Sequence, residues 1–206
     1  MSKSEHHLLF NIIAPVYGLF YRMQRRHYAK IIQKISQTIN LTEFETILDV
    51  GCGTGALCAA LNDLGLNVTG IDPAVRMLTI ARRKSDDQAI RFLEANVLET
   101  LPFADNSFDL AISSYVAHGL QPKDRKKMYA EMSRVAHKAV IIHDYNDRRS
   151  PLVSFVEWME GGDYFRFIRQ AEREMKNCLV EMTACFSDVK VIHVSKRANW
   201  YIGKPL

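Results

Sequence analysis

Disulfide chemistry has little to work with in this chain. Its 206 residues include only four cysteines, at positions 52, 58, 178 and 185, with no CxxC pair and no spacing that suits a metal. Buried thiols in a reducing cytoplasm are therefore expected, and no metal centre. A long apolar run is also missing. Leu8 to Tyr21 carries no formal charge, but Asn11, Pro15 and Gly18 interrupt it. It falls short of the roughly 20 apolar residues that cross a bilayer. The start, Met1 to His7, lacks the clean apolar block and small-residue cleavage site of a secretory leader, so none is expected. At 48% apolar and 24% charged residues the composition excludes intrinsic disorder, and its length suits one domain over 1–206 with a real core.

Acidic residues are absent between Glu5 and Glu43, while Arg22, Arg25, Arg26, Lys30 and Lys34 all lie there. On a helix these cations form a broad basic face opposite Ile31, Ile32, Ile35 and Ile39. Such a face is either solvated or attracts an anionic substrate or lipid headgroup. The net charge of +4 is too mild to imply nucleic acid by itself.

The pattern predicts helices over 5–14 and 20–39, separated where Pro15 removes a donor and Gly18 loosens the backbone. Strands are expected at 46–50, 66–71, 89–93, 108–113 and 139–143, with helices at 55–64, 73–84 and 123–137. This alternation means right-handed βαβ units, hence an α/β fold with a mostly parallel sheet and helices on both faces. The alternation then stops. A long helix over 151–180, broken near Gly161-Gly162, precedes two close strand-like runs, 189–194 and 199–202. Their spacing suits a hairpin, so the sheet is expected to end in an antiparallel strand.

Asp49-Val-Gly51-Cys52-Gly53-Thr-Gly55-Ala56 stands where the first strand hands over to a helix. Glycines there let a ligand approach the backbone, with amides at the helix start expected to face the crevice. The letters satisfy the GxGxxA dinucleotide fingerprint. Asp49 argues against that reading, because a carboxylate there would repel a pyrophosphate and favour a ligand with positive charge. Asp72 ends the second strand about 20 residues later, where an acid can accept both ribose hydroxyls of a nucleoside.

Leu48 to Gly55, then Gly70-Ile-Asp-Pro-Ala-Val-Arg-Met-Leu78, Ala95-Asn-Val97, Leu101 to Asp109 and Ser113-Ser-Tyr115 together resemble the class I SAM-dependent methyltransferases. Within them the chain is similar to the subgroup of ubiquinone and menaquinone C-methyltransferases and small-molecule enzymes. The resemblance implies a Rossmann-like seven-stranded sheet whose last strand is antiparallel. It implies an N-terminal helical lid over 1–40, a core over 41–145 that binds S-adenosylmethionine (SAM), and a cap helix with terminal hairpin over 146–206. S-adenosylhomocysteine (SAH) would be the product. Gly51, Cys52, Gly53 and Gly55 would line the methionine moiety, with Asp49 meeting its ammonium. Asp72 would hold the ribose, with Pro73 and Met77 flanking the adenine or ribose. Asn96 and Val97 would meet the adenine edge, and Ser113 and Ser114 would sit beside the methyl donor.

Tyr17 matches a tyrosine of the mobile lid in relatives, either touching SAM or substrate or packing as a core aromatic. Gly18 stands where relatives commonly carry aspartate. His118 and His143 follow or end the fourth and fifth strands, where open α/β sheets place ligands. Each is a candidate base for the acceptor's proton, or an orienting or structural histidine. The aromatic stretch Trp158 to Phe165 would cover the acceptor or form a bent, half-buried helix.

Ser113-Ser-Tyr-Val116 lacks the prolines of the amino-group nucleic-acid methyltransferases, and no DNA partner is expected. The resulting expectation is a cytoplasmic methyltransferase, monomeric or homodimeric, for a small or medium-sized, apolar or lipid-like acceptor, with peripheral membrane contact left open. The alternatives are an RNA methyltransferase using the basic helix and a non-catalytic SAM- or SAH-binding module.

Overall fold

The structure is a computed structural model that describes residues 3–146, 182, 184–196 and 198–206. The expected helix at 151–180, the covering stretch at 158–165 and Cys178 lie outside the described residues. Seven strands form one sheet in the order β3-β2-β1-β4-β5-β7-β6. By packing, the chain falls into two compact units, residues 1–96 with 108–110, and residues 97–107 with 111–206.

The first unit opens with α1, Lys3–Ile35, followed by β1 (Thr46–Val50), α2 (Ala56–Asn62), β2 (Asn67–Asp72), α3 (Val75–Lys84) and β3 (Arg91–Glu94). β1 pairs parallel with β2, and β2 with β3. β1 has its predicted bounds, and from Ile47 to Val50 every residue is buried. That agrees with a short apolar run inside a parallel sheet, where both faces are covered. α1 packs on α2 and α3. Its Ile31, Ile32 and Ile35 are buried, as the sequence pattern requires.

The two predicted N-terminal helices are one. Pro15 lies inside α1. Its ring removes one helical donor and strands the carbonyl four residues earlier. That carbonyl belongs to Asn11, and the Arg76 guanidinium on α3 donates to it at 3.4 Å. The Asn11 side chain in turn accepts from the Arg76 amide at 2.9 Å, capping the start of α3 from outside. Gly18 explains the close approach, since a Cβ there would stand 3.2 Å from the Ile80 side chain. Tertiary contact thus carries the helix through a local break signal.

The second unit holds the end of β4 (Phe108–Ser114), α4 (Pro122–Val135), β5 (Ala136–Tyr145), β6 (Phe186–His193) and β7 (Ala198–Pro205). β6 and β7 form the expected antiparallel hairpin, and β7 also pairs antiparallel with β5. The last strand of the chain is therefore antiparallel, but it lies inside the sheet, with β6 at the edge. Trp200 on β7 is 1% exposed, which fills the interior beside β5. Arg134 of α4 ties down the segment before β4, donating to the Phe103 carbonyl at 2.9 Å and to Asp105 at 2.7 Å.

Candidate functional site

In the first unit the chain leaves β1 through Gly51, Gly53 and Gly55, all with positive φ, at 72°, 53° and 78°. Side chains rarely adopt that backbone, so the turn requires glycine. A Cβ on Gly55 would meet Ala81 and Phe92 at 3.0 Å, whereas one on Gly53 would meet nothing within 4 Å. Gly53 therefore borders open space, and Gly55 lets α2 seat on its neighbours.

Ahead of the helix start, most of the loop amides are engaged within the protein. Gly51 and Cys52 both donate to the Ile71 carbonyl, at 2.8 and 2.9 Å, and Gly55 donates to Cys52 at 2.9 Å. Gly53 donates to Asp72 Oδ2 at 2.9 Å. Amides engaged in this way do not cradle a phosphate, which needs them free.

Acids border this loop. Asp49 is 1% exposed. Its Oδ2 accepts from the Cys58 thiol at 3.1 Å. Its Oδ1 has no partner among the described residues. Burial pushes its carboxyl up to about 7, the Cys58 bond opposing and the Asp72 charge adding to the shift. Burial likewise pushes Asp72 up to about 6, against the pull of the Ala74 and Gly53 amides. Ala74 donates to Asp72 Oδ1 at 2.8 Å, so each Asp72 oxygen keeps one lone pair for a ligand hydroxyl. The Cys52 and Cys58 thiols are buried, and burial raises both pKa values, Cys52 to about 11. They are inert space-filling groups beside the acid.

Pro73 follows Asp72 at a half-buried position, and Met77 on α3 is 2% exposed. Met77 clusters with Ala14, Ala74 and Ile80, and Tyr17 packs against that cluster. Asn96, just after β3, is half-buried.

The second unit gathers a separate polar and aromatic cluster at the ends of β4 and β5. Val97 is buried in this unit at 9% exposure, and Ser113 at 1% has no hydroxyl partner among the described residues. Ser114 Oγ and His143 Nδ1 lie 2.9 Å apart. Tyr115 takes a positive φ of 56°, and its amide donates to the His143 carbonyl at 2.8 Å. A tyrosine in that region stores strain, which the surrounding contacts hold.

His118 Nδ1 lies 2.8 Å from Asp144 Oδ1, and its backbone amide donates to Asp144 Oδ2 at 3.0 Å. Asp144 is buried, which alone would raise its pKa, but the His118 charge and hydrogen bond and the Tyr145 amide hold it below the usual carboxylate value. The rings of Tyr115 and Tyr145 are 4.8 Å apart, and Tyr145 stands edge-on to His118 at 4.8 Å. Sequence reasoning named His118 and His143 and missed Asp144 as the partner that orients His118. The signal available was an acid at the end of the fifth strand, 26 residues on, which no local pattern joins to a histidine.

A family described as "Methyltransferase domain" matches residues 48–142. Demethylmenaquinone methyltransferase of Renibacterium salmoninarum is 30% identical over 131 residues, 62% of this chain and 52% of the relative. Its counterpart from Thermus thermophilus is 35% identical over 141 residues, 62% of this chain and 59% of the relative. The chain thus spans little more than half the length of these curated relatives. A SAM-dependent methyltransferase from Aquifex aeolicus shares the fold at 20% identity with a TM-score of 0.57, over 79% of this chain and 82% of that one. A Pyrococcus horikoshii protein does so at 16% identity and a TM-score of 0.65, over 85% and 89%.

Proposed function

We propose that the chain is a class I SAM-dependent methyltransferase acting on a small or medium-sized, apolar or lipid-like acceptor, a reading supported by the methyltransferase-domain match over residues 48–142 and by the similarity to the demethylmenaquinone methyltransferases. The observation that carries this reading is the polarity of the glycine loop. Most of its amides are engaged within the protein, while an Asp49 oxygen without a partner among the described residues and the Asp72 carboxyl border it. That is a poor cradle for a dinucleotide pyrophosphate and a good one for a phosphate-free cationic nucleoside.

The residues fit SAM on their own chemistry. In this reading Asp49 neutralises its ammonium and Asp72 accepts from its ribose hydroxyls. Gly51, Cys52, Gly53 and Gly55 form the floor, and Pro73, Met77 and Asn96 flank the base. When bound, SAM supplies an electrophilic methyl group on a sulfonium and leaves as neutral SAH.

The remaining work for the chain is to orient the acceptor and remove its proton. His118, held by Asp144, is our candidate base, and the half-buried Tyr115 and Tyr145 offer aromatic surface to an apolar ring. His143 orients Ser114, and Tyr17 closes over the nucleoside. The name of the relatives, demethylmenaquinone methyltransferase, supports an acceptor of this kind.

Calorimetric titration of the protein and of Asp72→Ala with SAH, SAM and NADH tests the reading. Micromolar binding of SAH and SAM, lost in the variant, with NADH silent, is the expected result. NADH binding alone overturns it. SAH binding with no methyl transfer to any quinol or lipid-like acceptor would leave a non-catalytic module. Methylated RNA as product would establish the nucleic-acid alternative instead.

A further inference from the structure

We propose that the outer face of α1, with the cations of α3 beside it, docks on an anionic lipid bilayer. Ile12, Val16, Leu19 and Met23 recur at spacings of four, three and four residues, and all are open to water, at 62%, 57%, 78% and 62% exposure. This spacing places them on one stripe of the helix. The stripe points away from Ala14, Tyr21, Ile31, Ile32 and Ile35, which are buried. It continues in register through Arg26, Lys30 and Lys34, each exposed. The same line along α1 is thus aliphatic in its first half and cationic in its second.

The neighbouring helix adds charge of the same sign. Leu19 lines one groove with Arg76, Arg83 and Lys84 of α3, together with Pro15 and Gly18. The nearby acids are Asp63, Asp86 and Asp87, which line the adjoining groove with Arg22 and Arg25. Asp63 is taken up by Arg25, at 2.7 Å. Asp86 and Asp87 stay exposed there, but Arg22, Arg76, Arg83 and Lys84 outnumber them, so the surface beside the apolar stripe is net cationic.

Exposed aliphatic groups among cations match the boundary between lipid headgroups and acyl chains. There the stripe leaves water and the cations meet anionic headgroups. No described helix is long and apolar enough to cross a membrane, so α1 would lie on the surface. An RNA backbone would use the cations and leave the aliphatic stripe in water. A second copy fits worse. Parallel apposition of two α1 faces would oppose like charges, and antiparallel apposition would press Arg26, Lys30 and Lys34 onto aliphatic surface. The inference stands independently of which acceptor is methylated.

Flotation of the full chain with vesicles tests it, using phosphatidylcholine alone and an equimolar mixture with phosphatidylglycerol, at low and high salt. The protein is expected to float with the anionic vesicles, and less so in high salt. Two double variants separate the contributions, Leu19→Glu with Met23→Glu, and Arg26→Glu with Lys30→Glu. Each is expected to weaken partitioning by about tenfold or more while the melting curve and SAH titration stay unchanged. Equal flotation of wild type and both variants overturns the proposal, as does failure of the wild type to float with anionic vesicles at low salt. A dimer seen by analytical ultracentrifugation and dissolved by the Leu19 and Met23 pair, without flotation, assigns the face to a second copy and overturns it too. SAH binding reads the cofactor site in the same samples, so loss of that reading is seen separately.

Discussion

Asp49 is a residue whose burden in the free protein suits it to a cationic ligand. Its carboxyl is buried beside Asp72 with one oxygen unpartnered among the described residues, and burial raises its pKa to about 7. An ammonium group placed there would offset the desolvation that no cation among the described residues offsets. His118 is the corresponding residue of the second unit, gripped by Asp144 through both its ring and its backbone amide. If it takes the acceptor's proton, His118→Gln is expected to lower the rate of methyl transfer by about a hundredfold or more. SAH affinity by calorimetry should stay within about twofold, because a base acts on the acceptor's proton rather than on the cofactor. Loss of SAH affinity together with the rate would assign the histidine a structural role.

At the scale of elements, α1 and α3 support each other through groups that their own helices leave unsatisfied. Pro15 strands the Asn11 carbonyl, Arg76 takes it up, and the Asn11 side chain caps α3, whose own N-cap position is Ala74 with no side-chain bond. Asn11→Ala removes that cap and should cost about 1 kcal/mol, read as a lower urea midpoint with unchanged slope. An unchanged midpoint would mean that water replaces the cap at no cost. Tyr21 adds a second tie, its hydroxyl 3.2 Å from Ser85 Oγ at the far end of α3. The hairpin is held differently, by β7 pairing on both sides and Trp200 buried between.

The molecule as a whole should show an unusual pH response. Asp49 and Asp72 have folded pKa values raised to about 7 and about 6, so the folded state holds their protons more tightly than the unfolded chain does. Stability of the free protein is therefore fullest below their unfolded values and declines as pH rises through about 6 and 7. Asp144 works in the opposite sense. Its depressed pKa adds stability above the ordinary carboxylate value that is lost as pH falls through the folded one. A ligand ammonium favours the ionised Asp49, so SAH should bind more weakly as pH falls, by up to about tenfold per pH unit for each carboxyl that must lose its proton. Thermal melts across pH should then show SAH raising the midpoint more at neutral pH than in acid. A constant increment would mean that neither carboxyl changes ionisation on binding.

Much of this protein could be read without coordinates. The run Thr46–Val50, the glycine turn after it, and the alternation of strands and helices depend on local periodicity and on conformations that glycine adopts and other residues avoid. The terminal hairpin was legible for the same reason. Asp49 and Asp72 were identified because a charge at a strand end has a meaning that does not depend on distant contacts. Tertiary structure alone decided what local signals contradict or cannot reach. It carried α1 through Pro15 by lending it Arg76, turned most of the loop amides inward onto Ile71 and Asp72, and slipped β7 between β5 and β6. It also joined His118 to Asp144 and left an aliphatic stripe of α1 facing water. Each of these outcomes depends on groups far apart in the chain whose pairing is set by packing and by the need to satisfy buried polar atoms, which no window of sequence contains.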